Sequence, residues 1–150
     1  MSAVVPDPAM VDMVAERSQQ LRTRIAELTD RRVTIVAVTK GHPPEVAAAA
    51  LAAGCIDLGE SYAQELVPKA AGLAGGDVVP RWHFIGRLQS NKVRSLAGIV
   101  ALWHTIDRPS IAVEVAKRSP GASVAPGIAG HGGAFALLLR CRRRRHTSAR

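Results

Sequence analysis

This chain of 150 residues is poor in cysteine, has no long apolar run and, beyond residue 124, carries no acidic side chain. Its two cysteines, Cys55 and Cys141, are too few and too far apart for a disulfide framework or a metal-ligand spacing. A reducing cytoplasm is the expected compartment. No apolar stretch reaches the ~20 residues of a membrane helix, so no spanning helix is expected. The opening residues MSAVVPDPAM lack the basic start and apolar core of a secretory signal. No Gly-x-Gly-x-x-Gly follows the first apolar segment, and no glycine-rich loop ends in Lys-Ser or Lys-Thr, which weighs against dinucleotide or nucleotide binding. Neither His83 nor His104 has a second ligand at metal spacing, so no metal is expected.

What is present is ordinary in bulk and uneven in charge. Hydrophobic residues make up 47% and charged residues 21%, the composition of one globular domain. Residues 1–124 hold 14 Lys and Arg against all 12 acids, so the net charge of +8 belongs mostly to an arginine-only remainder. The chain therefore divides into a nearly neutral domain, 1–124, and a basic tail, 125–150, expected to be solvated and disordered. Arg142 to Arg145 would attract phosphate backbones in a salt-sensitive, sequence-independent way, and a nucleic-acid partner is not expected.

Apolar periodicity divides the domain into elements. Asp7 to Thr29 reads as a helix, with Asp7 as cap, Pro8 in the first turn and an apolar stripe through Val11, Val14, Leu21, Ile25 and Leu28. Val33 to Val38 is a β-branched run of the buried parallel type. Pro43-Pro44 opens a helix through Ala53, closed by Gly54. Strands at Cys55–Leu58, Trp82–Ile85 and Leu102–Ile106 alternate with helices at Tyr62–Ala71, from a capping Ser90 to Ala97, and from Pro109 to before Pro120. No fifth unit is recognisable from Ala125 onward. An opening helix followed by four βα units predicts parallel strands with right-handed crossovers. Either an open doubly wound sheet or the start of a (β/α)8 barrel would satisfy this pattern.

Lys40 is the most informative single residue. It follows an apolar strand at its C-terminal end, where sites of both architectures are built. Desolvation there would favour a neutral amine able to attack a carbonyl, although a snorkelling or salt-bridged lysine fits the position too. Ser61 is either a ligand hydrogen-bonder or a helix cap with Glu65 downstream. In the next strand, alternation puts His83 and Ile85 on one face and Trp82 and Phe84 on the other. His83 is a candidate pocket residue or a hydrogen-bonded structural histidine, and Gln89, Asn91 and Lys92 are candidate loop-fixing groups. His104-Thr-Ile-Asp107 repeats the theme after the fourth strand.

Four motifs occur in order: Ala37-Val-Thr-Lys40, Gly59-Glu-Ser-Tyr-Ala-Gln-Glu65, Trp82-His-Phe-Ile-Gly-Arg-Leu-Gln-Ser-Asn-Lys92 and His104-Thr-Ile-Asp107. Together they resemble the pyridoxal 5′-phosphate homeostasis protein family, related to the N-terminal barrel of alanine racemase, over about residues 8–124. The resemblance implies an α/β fold: the first half, about four βα units, of a (β/α)8 barrel preceded by an N-terminal helix. It implies pyridoxal 5′-phosphate held as a Schiff base on Lys40, with Ser61 standing where the family has an asparagine near the cofactor. His83 and Ile85 complete the candidate cofactor-binding set. Family members are carriers or regulators of the vitamin B6 cofactor pool, which implies acceptor enzymes as partners and no catalytic turnover.

An amino-acid racemase or lyase of the same fold is the alternative implied. Such racemases set a tyrosine from another domain opposite the lysine, and Tyr62 is the only tyrosine here. The family's phosphate-holding loops follow later strands. Residues 125–150, biased to Gly, Ala and Arg, match nothing in the family, so a truncated or frame-shifted member is expected. Such a half barrel would have unpaired strand edges, an uncovered inner face and weak or no cofactor retention. A non-functional fragment with an anion-binding arginine tail is the third reading.

Overall fold

The computed structural model describes residues 4–125 and the strand at 137–141. Helix α1, Pro8–Leu28, starts where the Asp7 carboxylate accepts the Ala9 N–H at 3.0 Å, with Pro8 in the first turn. It ends at Thr29, whose N–H reaches the Ile25 carbonyl. Its covered side runs through Val11, Val14, Ser18, Leu21 and Ile25, while Leu28 is exposed. Ser18 fills the gap in the apolar stripe because its hydroxyl is satisfied within the helix, donating to the Ala15 carbonyl at 3.0 Å.

The remaining elements alternate: β1 Val33–Val38, α2 Pro44–Ala52, β2 Asp57–Glu60, α3 Ala63–Leu73, β3 Arg81–Phe84, α4 Ser90–Leu96, β4 Val100–Trp103, α5 Pro109–Arg118, β5 Ser123–Val124 and β6 Leu137–Cys141. The sheet order is β5-β4-β3-β2-β1-β6, with β1 to β5 parallel and β6 antiparallel to β1. Among the five parallel strands the order follows chain order with no reversal. A doubly wound sheet reverses at a switch point, so the winding is that of a barrel. Helices α1 to α5 pack in the same succession, each on the next, as one layer. Between layer and sheet lies the main core, where Ala37, Leu58, Trp82, Phe84 and Trp103 meet Ala47, Leu66, Val93, Leu96, Ile111 and Val115. On the opposite face, which a barrel turns inward, Val36, Val38, Asp57, His83 and Leu102 are buried as well.

Four expected boundaries shift for physical reasons. Strand β2 begins at Asp57 because Cys55 still closes helix α2: its N–H bonds to the Ala50 carbonyl across Gly54, which sits at φ +85°. Strand β4 begins at Val100 and stops at Trp103: a bulge between the Trp82–Val100 and His83–Leu102 pairs shifts the register, and the last bond to β3 is that of the His104 N–H to the Phe84 carbonyl at 2.9 Å. Ser61 is not the cap of α3, nor Ser90 of α4. Tyr62 and Gln89 hold those positions without a side-chain cap bond. Strand β5 adds a fifth parallel strand beyond the four expected units, pairing Leu102 with Ser123.

The edge of β1 is not left open. Strand β6 pairs with it from Val33–Cys141 to Ala37–Leu137. Gly130 to Gly133 and Arg142 to Arg145 lie outside the described residues. Among those described, no helix is long and apolar enough to cross a membrane.

Candidate functional site

The parallel ladder carries the end of β1 one step past Val38, where the Thr39 N–H donates to the Gly59 carbonyl at 2.9 Å. The chain then turns through Lys40, which is half-buried, and exposed Gly41, whose φ of +72° suits glycine. Both neighbours of Lys40 are fastened to one buried polar cluster. The Thr39 hydroxyl donates to Glu60 Oε1 at 2.8 Å, and the Thr39 carbonyl accepts from Lys69 Nζ at 2.9 Å. On the other side, the Gly41 N–H donates to Glu65 Oε2 at 2.8 Å. Lys69 closes the cluster, donating to Glu60 Oε1 at 2.5 Å and reaching Glu65 Oε2 at 3.4 Å. Thr39 and Glu60 are fully buried and Lys69 is 2% exposed. The three acceptors match the three protons of the Lys69 ammonium, the condition under which a buried charge is tolerated.

Lys40 and Ser61 leave neighbouring strands at the same end of the sheet, each two residues beyond the Val38–Gly59 pair. Ser61 is held by its backbone: a methyl on Gly86 would fall 2.0 Å from the Ser61 carbonyl oxygen, so the turn after β3 presses directly on it. The Thr105 hydroxyl donates to the Gly86 carbonyl, joining the turn after β4 to the other two. Ile85 follows β3, and its N–H bonds to the Glu60 carbonyl at 2.8 Å. Its Cδ1 stands beside Val36 and Val38 over the bare face of Gly59. Lys40, Ser61 and Ile85 therefore gather at the C-terminal edge of the sheet.

His83 sits deeper. Its Nε2 lies 2.9 Å from Asp57 Oδ1 and its Nδ1 lies 2.8 Å from His104 Nε2, with the two imidazoles stacked. An ionised carboxylate only accepts, so Nε2 of His83 carries a proton, and in the neutral ring Nδ1 then accepts from His104. The other oxygen of Asp57 takes Arg81 Nη2 at 2.6 Å. This hydrogen bond first, and the charge of Asp57 second, hold the Arg81 guanidinium above its usual range.

Sequence reasoning missed Thr39, Glu60, Lys69 and Asp57. The spacing of Glu65 and Lys69, four apart on one helix, was a readable signal for part of the cluster. Glu60 was not readable in this way, because only the fold brings it to Lys69.

A parallel sheet wound in chain order, with an amine anchored in the turn after its first strand, defines an α/β protein of the barrel class. No family model matches the chain. Individual proteins do. The pyridoxal phosphate homeostasis protein of Pseudomonas aeruginosa is 37% identical over 113 residues, covering 71% of this chain and 48% of that protein. Its counterpart in Deinococcus radiodurans is 43% identical over 97 residues, covering 64% and 44%. Among solved structures, PipY of Synechococcus elongatus with PLP bound aligns with a TM-score of 0.59 at 32% identity, over 69% of this chain and 47% of that one. The chain belongs to the pyridoxal phosphate homeostasis protein family and spans about half the length of the curated relatives it matches.

Proposed function

We propose that this chain holds pyridoxal 5′-phosphate through the amine of Lys40 and takes part in keeping the intracellular supply of that cofactor, without turning over a substrate. The observation that carries the reading is the two-sided anchoring of the Lys40 turn, through Thr39 and Gly41, onto Glu60, Glu65 and Lys69. A turn fixed on both sides positions its amine at low entropic cost. The likeness to PipY with PLP bound supports the same choice of ligand.

The donor set suits the group. When bound, the cofactor supplies an aldehyde that condenses with a lysine amine and expels one water. Lys40 provides that amine, half-buried at the sheet edge. Val38 and Ile85 offer an apolar wall, which glycine at position 59 keeps flat, and Ser61 offers a hydroxyl with shorter reach than asparagine. The racemase alternative needs a second acid or base across from the lysine. Tyr62 is half exposed and lines a cleft on the outer rim of which Lys40 is not part, which favours the carrier. Acceptor enzymes that depend on the cofactor, met in the cytoplasm, complete the reading.

Incubation with pyridoxal 5′-phosphate, reduction by borohydride and peptide mass spectrometry test it. The expected result is one added reduced cofactor on Lys40 and none in Lys40→Ala. Label on another lysine, or none on the wild-type chain, overturns the proposal.

A further inference from the structure

Outside the Lys40 turn, the rim of the sheet carries a cleft of about 460 Å³ between the turns that follow β2 and β3; of the residues assigned to the cofactor above, Ser61 borders it, while Lys40, His83 and Ile85 do not line it. Its size falls within the range of pockets for small organic ligands, roughly 300–1,000 Å³. Its lining is one-sided in charge. Arg87, Lys92 and Arg108 contribute, and no carboxylate does. The nearest acid in the ion-pair network is Asp107, which is shared by Arg87 Nε at 3.5 Å and Arg108 Nη1 at 3.1 Å. Among the described residues no carboxylate pairs with Lys92. One acid against three cations leaves two positive charges, on exposed Arg87 and Lys92, that solvent meets and that are open to an anionic ligand.

The rest of the lining indicates what else that ligand carries. Phe84 is buried as a floor, Leu88 is buried beside it, and Tyr62 stands half exposed at the edge. Gln64 and Gln89 supply neutral polar groups. Arg108 is fixed before any ligand arrives, since its Nη2 donates to the Leu88 carbonyl at 2.9 Å while Nη1 holds Asp107. A phosphate monoester carries a charge of about −1.5 to −2 at neutral pH, which matches the charge left open. A carboxylate would match half of it.

We propose that this rim cleft is a second ligand site, taking a small aromatic phosphate monoester. Lys92 and Arg87 hold its phosphate, and Tyr62, Phe84 and Leu88 flank its ring. Phenyl phosphate is the probe, because it has no aldehyde and cannot condense with Lys40. Calorimetric titration of the whole chain is expected to show saturable binding that weakens with added salt. Lys92→Met is expected to lose about tenfold in affinity, and Arg87→Met to lose affinity as well. Lys40→Ala is expected to bind as the wild type does, which separates this site from the one above. Benzoate is expected to bind more weakly than phenyl phosphate. Absence of saturable binding at millimolar phenyl phosphate, unchanged affinity in a folded Lys92→Met, or equal affinity for benzoate overturns the proposal.

Discussion

Lys69 Nζ and Glu60 Oε1 stand 2.5 Å apart with almost no solvent on either residue. Taking both charges out of water is costly, and the Thr39 hydroxyl, Thr39 carbonyl and Glu65 carboxylate offset part of that cost, while Glu60 Oε2 stays buried without a hydrogen-bond partner among the described residues. Removing one partner strands the other. Lys69→Met is expected to lower unfolding free energy by about 3–5 kcal/mol, and Lys69→Met with Glu60→Gln by less, because the second change removes the orphaned charge. Urea unfolding of the two variants measures the difference. A double variant less stable than Lys69→Met would show that the pair is not the unit assumed. Amide exchange at Gly41 is expected to quicken in both, since Glu65 loses its partner.

Gly86 and Ser61 give a second expectation. A methyl at residue 86 would meet backbone, not the end of a flexible side chain, at 2.0 Å from the Ser61 oxygen. Gly86→Ala is expected to cost about 1–3 kcal/mol by forcing the two turns apart, and to weaken cofactor loading at Lys40 with it. Gly98→Ala is the control, because nothing lies within 4 Å of the added methyl. Thermal denaturation of both variants decides, and equal melting temperatures would refute the close approach.

Periodicity and turn chemistry made much of this fold legible. The β-branched run Val33–Val38, the proline at the start of α2 and Gly54 at its end each carry a local cause, so β1 and α2 fall where expected. The order of strands was not legible, since the same βα alternation serves two windings. Strand β5, two residues long, has no pattern to read, and it exists because Leu102 and Trp103 offer Ser123 and Val124 a free edge. Lys40 was legible from its place after a strand. Its anchors were not, because Thr39, Glu60 and Lys69 meet only through parallel pairing of β1 with β2 and the packing of α3. Asp57 carries no signal of its own in the sequence, and only the register of β2 with β3 sets it beside His83.

Acid should reveal one helical pair. The Arg118 guanidinium, by hydrogen bond above all, holds the partly exposed Glu114 carboxyl below its usual value of 4.5. A depressed carboxylate stabilises the fold above the unfolded value and loses that contribution as pH falls through the folded one. The difference in melting temperature between the wild type and Glu114→Gln is therefore expected to be small and level above about pH 4.5, and to close on further acidification. High salt should shrink it at neutral pH. A difference that widens towards acid would contradict the sign.

The chain of hydrogen bonds from Arg81 through Asp57 and His83 to His104 fixes which ring nitrogens carry protons. Long-range proton–nitrogen correlation spectra are expected to show the Nε2–H form for both histidines in the wild type. Asp57→Asn keeps the shape but removes the charge that orders the chain. An amide can present NH₂ to His83, which would then turn its proton to Nδ1 and meet the Nε2–H of His104 donor to donor. The strain is relieved only if one ring rotates or changes tautomer. The variant is therefore expected to lose about 1–3 kcal/mol and to show a mixed or altered tautomer at His83 or His104. Arg81, released from Asp57, should return towards its ordinary range with no effect below strongly alkaline pH, so any change near neutrality belongs to the histidines. Unaltered histidine spectra in Asp57→Asn would mean that Asp57 does not govern the pair.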